Sequence, residues 1–263
     1  MELSERTTKI LKNFSTINQS IVFNTGNVIR TISPLKTIMA QATVNENFPF
    51  EFGIYDLNQF LGVVSLFKTP EFDFNEKYVT IQSNSASSNY FFTDKSMIET
   101  PPAKTLDMAT RLVAFSMTSE EIKSLLQAAS VLSLPEIVIT GDTKEIKITA
   151  SNIKNSSNHN FTRVVGETFA SFKFIIKVDN LKMLPHGYDV ALTNTPANMV
   201  EFSSQDDNIK YWVAAEQDSG YDDYKKDSYK KELLKFVPES KITIGTPAQF
   251  RKWYNAREGI LDD

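Results

Sequence analysis

Four lysines, Lys9, Lys12, Lys123 and Lys182, each lie in a stretch whose apolar residues recur three or four apart, on the side those apolar residues leave free. An ammonium group placed there can meet something negative, and the chemistry it offers is electrostatic rather than covalent. Arg6 sits at the boundary of the first such face. Taken alone, ordinary solvated helix faces account for these lysines too, since Glu120 and Glu121 stand beside Lys123. Groups suited to catalysis are sparse. His159 in NSSNHNFT and His186 in PHGYD lack metal-ligand spacing to each other or to a paired carboxylate, so both read as loop residues. Asp206-Asp207 and Asp222-Asp223 fall in turn-like sequence, EFDFNEKY lacks the glycine of a calcium loop, and no phosphate-binding glycine motif occurs. No catalytic residue, metal or cofactor is expected, and the chain does not read as an enzyme.

The elements that position the lysines follow from periodicity. Ser4 is a candidate N-cap for a helix through ERTTKILKNFSTI, with Ile10, Leu11, Phe14 and Ile17 on one side and Lys9, Lys12 and Thr16 opposite. Thr118 and Glu121 form a capping box for a helix whose core face is Ile122, Leu125, Leu126 and Ala129. Between these, FEFGIYDLNQFLG changes period at Asp56: Phe50, Phe52 and Ile54 alternate as in a strand, then Leu57, Phe60, Leu61 and Val64 take helical spacing. FKFIIKVDNLKMLP makes the same switch around Asp179 and predicts a further helix carrying Lys182. The helix from 57 to 67 has no charge, with Lys68 at its end. Short alternating runs fill the rest, so each half is mostly strands with two short helices, a duplication with a period of about 110 to 123 residues.

The halves are expected at residues 1–108 and 109–223, joined by a connector at about 97–110 that Pro101-Pro102 stiffens, and followed by a charged extension, 224–263, with short helices. That extension has no counterpart in the first half. Phe250, Trp253 and Tyr254 share one of its helix faces. The 263 residues hold 28 Lys and Arg against 32 Asp and Glu, of which nine and six lie in 224–263, so the body is acidic and the extension basic. An acidic body excludes a protein that coats nucleic acid with its whole surface but not one with a local basic stripe. The absence of cysteine fits a reducing compartment, and no apolar run approaches the ~18 residues of a membrane span, so a soluble intracellular protein is expected.

MELSERTTKILKNFSTIN and GIYDLNQFLGVVSLF resemble the corresponding segments of the sliding clamps of T-even-type bacteriophages, the processivity factors of their DNA polymerases. SFKFIIKVDNLKMLPHGYDV and YWVAAEQDS extend the likeness more loosely, so that it covers roughly residues 1 to 222. The resemblance implies an α+β fold of duplicated clamp-type domains, with antiparallel sheets outside and two helices per domain inside, assembling as a homotrimer into a ring. It implies duplex DNA, contacted without regard to sequence, inside that ring, with Arg6, Lys9, Lys12, Lys123 and Lys182 facing phosphates. A replicative DNA polymerase is the implied partner, and a separate ATP-dependent clamp loader opens the ring. The implied location is the cytoplasm of an infected bacterial host, with no membrane partner. Partners in that family dock short apolar peptides beside the connector, which singles out Met97, Ile98, Leu106 and Met108, although the same residues can pack inward as linker anchors. Clamps of this kind also serve as mobile activators of late transcription. The competing reading is an adaptor with the duplicated fold that binds proteins without encircling DNA.

Overall fold

A computed structural model describes residues 1–102, 111–155, 159–195 and 197–222. The first half begins with helix α1 (Glu5–Ile17), whose start is set by Ser4: its Oγ accepts from the Thr7 amide at 3.2 Å. Ile10, Leu11 and Phe14 are fully buried, at ~1.5–3 kcal/mol each from burial alone, so packing rather than helix propensity holds α1 in place. Strands β1 (Ile21–Phe23), β2 (Gly26–Ile32), β3 (Ile38–Phe48) and β4 (Phe52–Ile54) lead to α2 (Leu57–Val64), followed by β5 (Glu71–Phe74), β6 (Tyr78–Ser83) and β7 (Ala86–Phe91).

The second half repeats the plan with β8 (Val113–Met117), α3 (Ser119–Val131), β9 (Glu136–Asp142), β10 (Glu145–Ser151), β11 (Phe161–Glu167), β12 (Ser171–Lys177), β13 (Tyr188–Thr193), β14 (Met199–Ser204), β15 (Ile209–Ala214) and β16 (Gly220–Asp222). At the N-terminus of α3 the capping box forms as expected, with the Thr118 side chain and Glu121 each accepting from the other's backbone.

The two corners differ. At the first, the Asp56 carboxylate accepts from the Gln59 amide at 2.8 Å and starts a true helix. At the second, the expected helix is only a three-residue 3-10 turn, Val178–Asn180, so the described residues of the second half hold one α-helix rather than two. Its cap position falls on Lys177, which has no capping oxygen. Pro185 lies too close behind for two turns to form, because the residue before a proline is pushed out of the helical region. Lys182 therefore lies on a loop, not on a helix face.

The duplication is visible in the sheets. Strand order β4-β1-β2-β3 in the first half matches β12-β9-β10-β11 in the second, and β5-β6-β7 matches β13-β14-β15. Four strands of each half join in one eight-stranded antiparallel sheet, β4-β1-β2-β3-β15-β14-β13-β8, with the domain junction at β3 and β15, where Ile209 opposes Ala42 and Val213 opposes Ile38. The five-stranded sheet β11-β10-β9-β12-β16 belongs to the second half alone and the three-stranded sheet β5-β6-β7 to the first. Strand β3 is thus paired on both sides, whereas its counterpart β11 is an edge. Likewise β15 is paired on both sides, whereas its counterpart β7 is an edge.

Candidate nucleic-acid interface

Helix α1 packs on β2 and β3 of the eight-stranded sheet with α2 beside it, and α3 packs on β10 and β11. The tie between α1 and the second domain is polar: the Tyr211 hydroxyl on β15 donates to Asn13 Oδ1 at 2.8 Å and accepts from the Leu184 amide at 3.3 Å. Burial pushes the Tyr211 phenol up to about 12, so it stays protonated and keeps that donor. The N-terminal turn of α1 is held by Glu46 on β3, whose carboxylate accepts from the Ser4 amide and the Thr7 hydroxyl, both at 2.5 Å. Burial raises the Glu46 carboxyl, but these hydrogen bonds outweigh it and leave the group below its ordinary value.

On the side away from the core, α1 presents Lys9 and Lys12 to solvent and α3 presents Glu120, Lys123 and Gln127. Helix α2 presents the uncharged Asn58, Gln59 and Gly62. Lys182 joins this surface by docking on the C-terminal turn of α1: its Nζ donates to the Thr16 carbonyl at 2.8 Å, and its own carbonyl accepts from Asn13 Nδ2 at 3.2 Å. A cation there complements the negative end of the helix, and its two remaining N–H donors are free for an anion. The structure thus brings Lys9, Lys12 and Lys182 together around α1 and places Lys123 separately on α3.

Arg6 is engaged elsewhere. Its Nε donates to Asp207 Oδ1 at 2.8 Å, its Nη2 donates to the same oxygen, and Nη2 also donates to the Thr43 carbonyl at 3.0 Å. The guanidinium of α1 is therefore a cross-domain fastener to the β14–β15 turn. Ile98 is 6% exposed and its Cδ1 lies against Gly53, so it is an inward anchor, whereas Met97 is 67% exposed. Leu106 and Met108 lie outside the described residues, as do Phe250, Trp253 and Tyr254. His159 is exposed, and the His186 ring shares a hydrogen bond with Ser204 Oγ at 3.0 Å.

The opposite face of the eight-stranded sheet carries features that sequence patterning did not single out. Ile32, Met39, Trp212, Glu201 and Ala191 stand in one register row across β2, β3, β15, β14 and β13. Apart from Glu201 they form a small buried apolar cluster of their own, with Met199 packed against it. Glu201 accepts from Trp212 Nε1 at 2.9 Å and from Arg111 Nη2 at 3.1 Å. The signal was the continuous apolar run YWV in β15: a strand buried on both faces must be covered on both. Two exposed apolar residues lie on the free edges, Phe91 on β7 at 67% exposure and Val164 on β11 at 50%.

Two family models match the chain, "DNA polymerase processivity factor" over residues 4–98 and "gp45 sliding clamp, C terminal" over residues 114–217. The chain is 30% identical over 223 residues to the sliding clamp of Vibrio phage KVP40, covering 82% of this chain and 99% of that one. It is 31% identical over 234 residues to the sliding clamp of Enterobacteria phage T4, covering 84% and 100%. In fold it is similar to A. fulgidus PCNA, solved with the C-terminal region of FEN-1 bound, at a TM-score of 0.59 and 16% identity over 81% of this chain and 96% of that one. Proliferating cellular nuclear antigen from Entamoeba histolytica is similar too, at a TM-score of 0.58 and 11% identity over 80% and 94%.

Proposed function

The chain belongs to the sliding-clamp family of DNA polymerase processivity factors, and from that membership we propose how its residues do the work. It is a non-enzymatic ring protein that encircles duplex DNA and keeps a DNA polymerase on its template. The finer reading is a homotrimer in which β7 of one subunit pairs with β11 of the next.

A single observation carries that reading: the pairing that joins the two domains inside one chain leaves its mirror unmade at each end. Where β15 takes β3 at the junction, the counterpart β7 is an open edge, and so is β11, the counterpart of β3. Repeating the junction between chains places Ala86 opposite Arg163, Ser87 opposite Thr162 and Ser88 opposite Phe161. Long unpaired edges are a liability that proteins cover or close, and a head-to-tail contact that closes makes a ring.

Lys9, Lys12, Lys123 and Lys182 face the duplex. Few in number on an acidic body, they attract the phosphate backbone without reading bases, so the energy changes little from one position to the next and the ring slides. Encirclement supplies the persistence that such salt-sensitive contacts lack, and the polymerase remains at high effective concentration near its primer. Arg6 is not among these contacts because Asp207 holds it. Partners dock beside the connector, where Met97 is exposed. No phosphate-binding motif is present in the sequence, so opening the ring falls to a separate ATP-driven loader, working in the cytoplasm of the infected cell.

Light scattering across a range of concentrations tests the assembly: a species near three times the 29.8 kDa chain is expected. Loaded protein should stay on circular DNA at raised salt and run off linear DNA. A persistent monomer, or equal loss from both DNA forms, refutes the ring reading.

A further inference from the structure

At the domain junction, Arg6 on α1 reaches Asp207, which lies two residues before Ile209, the partner of Ala42 on β3. A seam that pairs β7 with β11 changes both halves of that ion pair. The second residue of the helix is Arg6 in α1 but Glu120 in α3, and the position two residues before Ala86 holds Asn84. A guanidinium returns from another element. Arg163 on β11 stands where Ala42 stands on β3, and its Nη1 and Nη2 reach the first two turns of α3, donating to Glu121 Oε1 at 3.5 Å and Ser124 Oγ at 3.3 Å. Both contacts are long, the Nε has no hydrogen-bond partner among the described residues, and the side chain is 36% exposed, so its own chain holds it loosely. Asn84 is exposed in the two-residue turn between β6 and β7, and its side chain makes no hydrogen bond among the described residues.

Side-chain volumes fit a second copy of the chain at this edge. On the helix side of the junction β3 supplies the small residues, Ala40 and Ala42, and β15 the large ones, Tyr211 and Ile209. At the seam the order reverses, with Phe161 and Arg163 of β11 set against Ser88 and Ala86 of β7. A long side chain opposite alanine has room to lie along the seam, and Asn84 becomes its diagonal neighbour on the same face, about 7–8 Å away and within reach of an arginine. We propose that Arg163 fastens each seam by donating a guanidinium N–H to Asn84 Oδ1 of the neighbouring subunit while keeping Glu121. The proposal rests on the pairing of β7 with β11 and names the side chains that set its strength: the junction has a full ion pair, the seam a charged donor on a neutral acceptor. Arginine carries five N–H donors, so Arg163 gives up neither contact on α3 when it makes the new one.

The test follows dissociation of the full chain on dilution by light scattering, in wild type, Arg163→Gln, Asn84→Gly and the two changes together. Asn84 has a φ of 53°, which glycine adopts without strain, so Asn84→Gly removes the side chain alone. Each single change should weaken assembly about 3- to 10-fold per seam, and the double change no more than either. Asn84→Asp should assemble at least as tightly as wild type, yet lose about tenfold per seam when combined with Arg163→Gln, because the new carboxylate then faces Glu120 and Glu121 without a cation. Losses that add, an assembly indifferent to Arg163, or an Asn84→Asp effect equal in both backgrounds overturn the fastener while leaving the strand pairing intact. A wild type that stays monomeric overturns both. If melting shows that Arg163→Gln does not fold, Arg163→Lys, which keeps the charge without the planar fork, takes its place in the cycle and should lose most of the same affinity.

Discussion

Ser87→Pro tests ring closure through one backbone amide. The Phe92 amide donates to the Lys77 carbonyl at 2.9 Å, so by the strand's period of two the amides of Tyr90 and Ser88 point into β6 and those of Asn89 and Ser87 point to the open edge. The same phase holds at the domain junction, where the amide of Ala214, the counterpart of Phe91, donates to the Thr37 carbonyl at 2.9 Å. Proline at 87 removes a donor that β6 does not use, and edge strands accept proline in that position. At the proposed seam it would delete the bond from the Ser87 amide to the Thr162 carbonyl and leave that carbonyl unpaired. A net hydrogen bond plus a stranded acceptor amounts to ~2–3 kcal/mol per seam, or ~30- to 150-fold. A ring with three equal seams multiplies the effect, so the closed form loses ~6–9 kcal/mol and should dissociate at concentrations where wild type is whole. Light scattering reads the shift, retention on circular DNA reads its consequence, and an almost unchanged melting temperature of the separated chain shows that the fold survives. Ser88→Pro, whose amide points into β6, should instead destabilise the fold. A Ser87→Pro protein that assembles at wild-type concentration would refute the pairing of β7 with β11.

The combined Lys9→Glu, Lys12→Glu and Lys123→Glu variant should keep its melting temperature and mass but load and retain DNA poorly; unchanged processive synthesis would remove these residues from the DNA surface. Glu46→Gln should lower stability by ~1.5–3 kcal/mol at neutral pH, because Ser4 and Thr7 donate to different carboxylate oxygens and the amide replaces one of those acceptors with an NH2 donor. The Glu46 carboxyl lies below its ordinary value in the folded chain, so its contribution is complete above the unfolded value of ~4.3 and fades as pH falls through the folded one. The gap between wild type and Glu46→Gln in thermal melts should therefore close in acid, and a gap that widens there would contradict the assignment.

Elements governed by neighbours in sequence were legible. Ser4 and the apolar spacing after it fixed the extent of α1, Thr118 with Glu121 fixed the start of α3, and the period switch at Asp56 located α2. The second corner misled because its apolar pattern continues past Asp179 while Pro185 and the uncapped Lys177 prevent a helix. Strand β5, only four residues long, lies where EFDF also fits an acidic loop. Arg6 could not be placed from its helix position, because its partner Asp207 is 201 residues away. The apolar row eluded sequence for the same reason: Ile32, Met39 and Trp212 become neighbours only through the register of β2, β3 and β15. Helical phase is a local property, whereas sheet register is set by long-range pairing.

The β3–β15 ladder has a mechanical consequence. Within one subunit the two domains are welded: a five-residue ladder spans the junction, Arg6 to Asp207 and Thr37 to Asn180 brace its two ends, and Asn13 to Tyr211 braces its middle. Such an arc has little compliance at its midpoint, because bending it there would shear several hydrogen bonds at once. In the proposed ring, strain would therefore concentrate at the seams between subunits, the places where it can part without breaking a chain's own fold. On that proposal, a machine that opens the ring need not choose where to pull, since torque delivered anywhere on the rim would travel through stiff arcs and come to rest at a seam.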